Sequence, residues 1–408
     1  MMRIGKFAER YQVSMDTIRH YMDLGLLLPE KQGGQYSFDE RCRQDIEEIL
    51  ELKEMGFLLH EIKNIFMLKS LGKMTPYQED EYYLAFFHNK LQQIELAMEK
   101  LTERQARLAG KLTQLMAAKS RSNFTSGIDL RALQLFRCLK CGGDLLLAEG
   151  QIQDNQVMDG RLNCACGEDY NIEAGILRAC TVDNQAVKFK CDYQGFIPDY
   201  IDDTDPAYLD KIYKGLEWIY KRIDVQSFHN KVILELGTGL GFFLRYMYNA
   251  LPEDSIYIAV DHDITRHEFL KRMLERADCR KTVLFIQADF LQIPIKDRCV
   301  DILMDYSGSS NYSFTHTDFL LTLVDHLVKE HAVLYGSYIL FQKFGTDNQM
   351  EEKHRKLFKL KQVKEQLAQL QYKMKDEHVT EYVEKGGKYE DYFVSGEQVY
   401  SYLCYGER

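Results

Sequence analysis

The first 56 residues carry start and stop signals spaced so closely that few arrangements satisfy them all. Ile4 to Arg10 (IGKFAER) reads as a short amphipathic helix, and Tyr11-Gln12-Val13 turns out of it. Ser14 offers a side-chain oxygen to the free N–H groups of a second helix, SMDTIRHYMDL. Asp16 falls in its first turn, where the helix dipole favours a negative charge. Gly25 is placed to end that helix in a left-handed conformation, and LLLPEKQGGQYSF folds back as a hairpin with Gly33-Gly34 at its tip. Asp39 caps the next helix, which runs to a further stop at Gly56. This order of pieces reads as a small winged helix-turn-helix, a device for placing a helix in a DNA groove.

Thr17-Ile18-Arg19, Tyr21, Gly25-Leu26-Leu27 and the G-x-Y of the hairpin (Gly34-Gln35-Tyr36) resemble the MerR family of bacterial transcription regulators over about 70 residues. The resemblance implies a winged helix-turn-helix whose second helix enters the major groove while the wing grips phosphates. It implies that Arg19, Tyr21 and Tyr36 contact double-stranded promoter DNA. The sequence departs from the family at Ser37, where an Arg usually follows the G-x-Y. Residues 1–43 hold seven Lys/Arg against six Asp/Glu, a weakly basic footprint. The net charge of −10 excludes a chain that coats nucleic acid indiscriminately, so any DNA contact comes from one local patch.

After Thr75-Pro76 the chain runs to Lys119 with no Pro and a single Gly, Gly110. Leu84, Phe87, Leu91, Ile94, Met98, Leu101, Gln105, Leu108, Leu112 and Leu115 fall at alternating steps of three and four. That is a heptad seam, and the one polar member, Gln105, can fix its register. At ~1.5 Å per residue the seam spans on the order of 50 Å. A helix with one long apolar stripe needs a partner face. In the MerR family the equivalent helix pairs across a two-fold axis, which implies a homodimer through residues 76–119. Residues 120–130 are polar and read as a linker.

Cys138-Leu-Lys-Cys141-Gly142 and Cys164-Ala-Cys166-Gly167 lie about 25 residues apart. Each pair is followed by glycine, which permits a turn that aims backbone N–H groups at sulfur. Four thiolates so arranged suit tetrahedral zinc. The flanking text resembles the zinc ribbon of certain rRNA guanine methyltransferases, which implies a structural metal held by Cys138, Cys141, Cys164 and Cys166. The second knuckle is one residue short of C-x-x-C, which leaves Cys180 and Cys191 as alternative ligands.

From Lys231 the pattern becomes short apolar runs alternating with helical stretches: KVILEL, IYIAV, TVLFI, VDILM and AVLYGSYIL. Runs apolar on both faces indicate a parallel sheet between helices. The first ends in Glu235-Leu-Gly237-Thr-Gly239-Leu-Gly241, where glycines let a ligand approach the backbone. The second ends in Asp261, placed to take both hydroxyls of a ribose. With Gln287-Ala-Asp289-Phe290-Leu-Gln-Ile-Pro294 and Asp301-Ile-Leu, this closely resembles the class I S-adenosylmethionine-dependent methyltransferases. Carried over, Glu235, Gly237, Gly239, Gly241, Asp261, Asp289, Phe290 and Asp305 are cofactor-binding residues, with Asp305 facing the site. No N-P-P-Y motif follows Met304, and no catalytic residue is singled out. Tyr306 and His316 are candidates for substrate contact, and the aromatic stretch Tyr208, Tyr213, Trp218, Tyr220 reads either as a lid or as core. A charged helix near 350–376 and a final strand pair complete the domain.

The expected architecture is multidomain. A winged helix-turn-helix (1–72) is followed by a coiled-coil helix (73–121), a small zinc ribbon (131–180) and an α/β Rossmann-like methyltransferase domain (200–408). The expected cofactors are S-adenosylmethionine and structural zinc. Two roles fit this order of domains: a MerR-like regulator whose methyltransferase domain is the sensor or enzyme, or a working methyltransferase acting on a small molecule or RNA with the winged helix as an appendage. No apolar run approaches the ~20 residues of a membrane span, and no signal-peptide pattern opens the chain, so the expected location is cytoplasmic.

Overall fold

A computed structural model describes residues 2–32, 34–71, 81–118, 124–179, 193–388, 390, 392–394 and 396–408. The chain divides into two compact units, Met1–Ser120 and Arg121–Arg408.

The first unit contains β1 (Met2–Arg3), α1 (Ile4–Arg10), α2 (Met15–Asp23), β2 (Glu30–Gln32), β3 (Gln35–Phe38), α3 (Glu40–Glu54), α4 (Leu59–Leu71) and α5 (Glu81–Ala118). The local signals act where the sequence puts them. Ser14 Oγ accepts the Thr17 N–H at 2.9 Å, and Asp39 Oδ1 accepts the Cys42 N–H at 2.9 Å. Each such cap is worth about 1 kcal/mol. Gly25 and Gly56 end their helices at φ of +73° and +86°. The hairpin β2–β3 pairs antiparallel, and β3 is the middle strand of a small sheet with β1. Phe7, Ile18, Phe38, Ile46, Ile49 and Ile65 form the core.

Helix α5 has two stretches of different character. Near its start, Phe87 packs on this core with its ring centroid 5.4 Å from that of Phe57, and Lys90 pairs with Glu61 at 2.6 Å. Beyond them, Leu91, Ile94, Met98, Leu101, Leu108, Leu112 and Leu115 are 41–72% exposed. Thr75-Pro76, where the sequence starts this helix, and the opening of the 120–130 linker lie outside the described residues.

The second unit is built on one mixed sheet. Its elements are β4 (Ile128–Asp129), β5 (Leu145–Gln153), β6 (Gln156–Cys164), β7 (Asp169–Glu173), β8 (Ile176–Arg178), α6 (Tyr193–Asp203), α7 (Pro206–Tyr220), β9 (Val232–Leu236), α8 (Phe242–Met247), β10 (Ile256–Asp261), α9 (Ile264–Leu274), β11 (Val283–Gln287), β12 (Val300–Tyr306), α10 (Gly308–Ser313), α11 (Leu320–Val324), β13 (Val328–Lys343), α12 (Leu360–Gln369), β14 (Lys373–Val379) and β15 (Gln398–Glu407). The order across it is β14-β15-β13-β12-β9-β10-β11-β8-β7-β6-β4, with β5 also on β6. Strands β13, β12, β9, β10 and β11 run parallel, and β15 inserts antiparallel between β13 and β14. This is the expected α/β layer, including the antiparallel edge. The expected charged helix is shorter than 350–376, because Gln371 at φ +65° turns the chain from α12 into β14. At the other edge β8 pairs parallel with β11, Ile176 opposite Phe285, so the cysteine-bearing hairpins continue the α/β sheet. No helix among the described residues is long and apolar enough to cross a membrane.

Candidate functional site

A cavity of about 610 Å³ opens at the carboxyl ends of β9, β10, β11 and β12. That size falls within the ~300–1,000 Å³ of small-molecule sites. The turn after β9 shapes one side. Gly237, Gly239 and Gly241 have φ of +70°, +55° and +71°, a conformation that side chains with a Cβ rarely adopt. A Cβ on Gly241 would lie 2.4 Å from Leu270 Cδ1, so this glycine serves helix packing. At Gly239 the nearest atom to such a Cβ is 3.9 Å away, which leaves the backbone open for close approach.

Asp261, the last residue of β10, is 2% exposed and joins two loops. Its Oδ2 accepts the Gly239 N–H at 2.8 Å and its Oδ1 accepts the Asp263 N–H at 2.9 Å. Arg266 stands 3.8 Å from Oδ2. Glu235 lines the cavity floor, with the Tyr257 hydroxyl donating to Oε2 at 3.0 Å. Burial pushes its carboxyl up to about 8. Asp289 accepts the Leu291 N–H at 2.8 Å, and the Phe290 ring reaches within 3.2 Å of where a Cβ on Gly237 would sit. Glu235, Gly237, Gly239, Asp261, Asp289 and Phe290 all line this one cavity.

Asp305 does not. The sequence reading turns it toward the site, but its side chain is fully buried and Oδ1 accepts the Ser309 N–H at 2.8 Å, closing the first turn of α10. Burial raises its carboxyl to about 6. The next residue, Tyr306, faces the cavity instead, as alternation along a strand requires. Its hydroxyl donates to the Ile212 carbonyl at 3.3 Å, and His316 lines the cavity while stacked 3.9 Å from Tyr312. Of the aromatic residues on α7 only Tyr208 enters the cavity. Tyr213 is exposed, Trp218 stacks on His378 and Tyr220 lies edge-on to Tyr246. Sequence reasoning missed Tyr200, Lys211, Glu390 and Tyr392, which form the opposite wall.

The four named cysteines come together. Their sulfurs all lie within 4.8 Å of one another, with Cys138–Cys166 at 3.6 Å and Cys141–Cys164 at 3.3 Å. Zinc–sulfur bonds of about 2.3 Å in a tetrahedron place sulfurs roughly 3.8 Å apart, so the set fits such an ion. Gly142 and Gly167 take φ of +72° and +91°, and the Gly143 N–H donates to Cys141 Sγ. Burial opposes ionisation of Cys138, but the amides of Cys141 and Lys140 outweigh it and bring this thiol down to about 6. Cys166 completes the set despite the shortened knuckle, and Cys180 and Cys191 lie outside the described residues. The ribbon also grips the segment after Phe290. The Arg137 N–H donates to the Pro294 carbonyl at 3.0 Å, the Lys296 N–H to the Leu135 carbonyl at 2.8 Å, and Arg137 pairs with Asp297.

On the first unit, Arg19 is exposed on α2 and held by Asp16 at 2.6 Å. Tyr36 is exposed on β3, with Lys31 Nζ 5.7 Å from its ring centroid. Tyr21 differs from the sequence expectation. It is 1% exposed in the core and its hydroxyl accepts from Lys53 Nζ at 3.2 Å, so it supports α2 from beneath and offers no surface to DNA.

Residues 2–68 match the MerR HTH family regulatory proteins. They form a MerR-type helix-turn-helix domain. The chain is 40% identical over 63 residues to "Nodulation protein NolA" of Bradyrhizobium elkanii, covering 15% of this chain and 29% of that one. It is 38% identical over 63 residues to the protein of the same name from Bradyrhizobium diazoefficiens, covering 15% and 27%. The chain thus spans under a third of the length of the curated relatives it matches. Among solved structures, the MccD protein aligns with a TM-score of 0.37 at 11% identity, over 48% of this chain and 96% of that one. A SAM-dependent methyltransferase of Aquifex aeolicus aligns with a TM-score of 0.32 at 16% identity, over 51% and 93%.

Proposed function

We propose that this chain is a DNA-binding regulator of the MerR type whose C-terminal domain binds S-adenosylmethionine together with a small molecule. In this reading α5 pairs two chains through its exposed seam, and Arg19 and Tyr36 of each winged domain contact promoter DNA. The cysteine cluster holds a structural zinc ion, and the protein works in the cytoplasm. Ligand in the cavity biases the geometry of the dimer and so the bend imposed on DNA between half-sites.

The observation that carries the ligand assignment is the strand-end cavity, where Gly239 leaves room beside the buried carboxylate of Asp261. There Gly237 and Gly239 would hold the amino-acid portion of the donor, Asp261 its ribose and Asp289 with Phe290 its adenine. A sulfonium donor bound there supplies an activated methyl group. Transfer from it needs little beyond placement of the acceptor, so the absence of an N-P-P-Y motif does not argue against turnover. The enzyme reading is favoured by the second, aromatic half of the cavity, which leaves space beyond the donor positions.

Calorimetry with S-adenosylmethionine, S-adenosylhomocysteine and NAD tests the assignment. Both sulfur ligands should bind and NAD should not. Asp261→Ala should weaken them at least tenfold, since each hydrogen bond to a charged group contributes roughly 1.5–3 kcal/mol. Because Asp261 also ties two loops together, Gly239→Val is the companion variant, blocking the approach from the loop itself. A folded protein that binds neither sulfur ligand rejects the assignment. Binding without transfer to any small molecule, RNA or DNA leaves the sensor.

A further inference from the structure

The wall opposite the glycine loop is built from rings and one cation. Lys211 lies on the face of α7 that also turns Tyr208, Ile212 and Gly215 to the cavity. It is 7% exposed, and its Nζ has no hydrogen-bond partner among the described residues. The ammonium sits 4.3 Å from the centroid of the Tyr208 ring, and Tyr306 and Tyr392 line the same cavity. A facing carboxylate, Glu390, is already engaged. It accepts from the Tyr200 hydroxyl at 2.7 Å and from the Gly387 N–H at 2.7 Å. Burial pulls the Lys211 ammonium down to about 8, with Glu390 opposing.

An ammonium has three donors and no acceptor, and burying one without a partner is costly. Folding alone does not explain such a residue, because a methionine of similar length would pack against the same rings at no electrostatic cost. The charge makes sense if something else in the cavity meets it. A cationic ligand would be repelled, and a neutral hydrocarbon would leave Nζ unpaired. A phosphate would call for more donors than this wall offers.

We infer that the aromatic half of the cavity binds a small aryl acid, with its ring among Tyr208, Tyr306 and Tyr392 and its ionisable oxygen on Lys211 Nζ. The inference deepens the reading of the cavity as a methyl-donor site and rests on it for the ligand's role as acceptor or co-ligand. A phenol and an aryl carboxylate share this chemistry.

The test uses the whole 408-residue chain, loaded with zinc, and three probes: 2-naphthol, 2-naphthoate and 2-methoxynaphthalene. Binding is read by calorimetry, and S-adenosylhomocysteine is titrated in parallel. At least one acid should bind tenfold or more tightly than the ether, and the tighter of the two identifies the oxygen. Lys211→Met should bring that acid down to the level of the ether while raising the Tm, because it removes an unpaired buried charge. A residue with a merely structural role would lower the Tm instead. Equal binding of acids and ether, unchanged acid binding by the variant, or a lowered Tm each overturns the inference. If S-adenosylhomocysteine binds and neither acid does, the donor reading stands and this one falls. If an acid binds through Lys211 and S-adenosylhomocysteine does not, the aryl-acid site stands and the donor reading falls.

Discussion

Along α5 the N-terminal unit exposes a continuous row of apolar side chains, whereas the C-terminal unit buries several ionisable groups. Leu91, Met98, Leu101 and Leu108 are exposed over several helical turns. In the C-terminal unit Glu235, Asp305 and Lys211 are buried. The two surpluses call for different remedies. An exposed apolar stripe is covered by another apolar surface, which a second copy of the same helix supplies. An unpaired buried charge is met by a ligand of opposite charge. In the proposed reading the first unit self-associates and the second binds a small molecule.

The largest effect expected is on the metal. Purified protein should carry about one zinc per chain, and Cys138→Ser should lower that content and the Tm together. Structural zinc contributes about 10–16 kcal/mol in small zinc-dependent domains. Because the ribbon grips Pro294 and Lys296, the variant should also bind S-adenosylhomocysteine more weakly. Metal-free protein with unchanged melting would end the zinc assignment. Next in size is the seam. Leu91→Asp with Leu101→Asp places charges where two helices would meet, at a cost of several kcal/mol. Analytical ultracentrifugation should show a dimer for the parent and a monomer for the double variant. A monomeric parent would break the comparison at its first term.

The signals that proved legible act within a turn or two. Ser14, Asp39, Gly25 and Gly56 bond or bend their own neighbours, and the glycines after β9 and beside the cysteines do the same. The alternation of strand and helix from Lys231 onward gave the α/β layer for a similar reason, since each run carries its own period. What stayed hidden depends on distant segments meeting. Lys211 and Glu390 share a wall although 179 positions separate them, and neither sits in a motif. The pairing of β8 with β11 crosses from one expected domain into another, so no local pattern announces it. Tyr21 and Asp305 were assigned by their place in a motif, and burial decided otherwise.

Glu235 sharpens the second term of the comparison. Its folded value of about 8 lies above the ordinary 4.5, so the native state holds a proton that the unfolded chain releases. The stability this provides is fully present below pH 4.5 and is lost as the pH rises through about 8. The ceiling is about 1.4 kcal/mol for each pH unit in that window. Glu235→Gln keeps the shape and removes the titration. The difference in urea-unfolding free energy between parent and variant should therefore shift toward the variant from pH 5 to pH 8. Asp305, raised by burial to about 6, titrates in both proteins and cancels in that difference. Parallel curves would mean that the carboxyl is not protonated in the folded state.

The smallest expected effect concerns the surface of α2, where charge is exposed rather than buried. Arg19 and Asp16 are both well exposed, and such a pair contributes ~0–1 kcal/mol, so Arg19 can leave Asp16 for DNA at little cost. Arg19→Ala should weaken binding to a selected promoter site by roughly 1–3 kcal/mol if it reads a base. If it contacts only phosphate, the loss should be uniform across sequences and the salt slope should fall by about one. Asp16→Ala releases Arg19 from its competitor and removes a negative charge from the DNA-facing side. Affinity at low salt should then hold or rise, even though the first turn of α2 loses a favourable dipole partner worth roughly 0.3–1 kcal/mol. A salt titration of the three proteins on one duplex separates these outcomes. Should Arg19→Ala leave both affinity and slope unchanged while Asp16→Ala weakens binding, α2 does not present Arg19 to DNA, and the weakly basic winged domain serves some surface other than a groove.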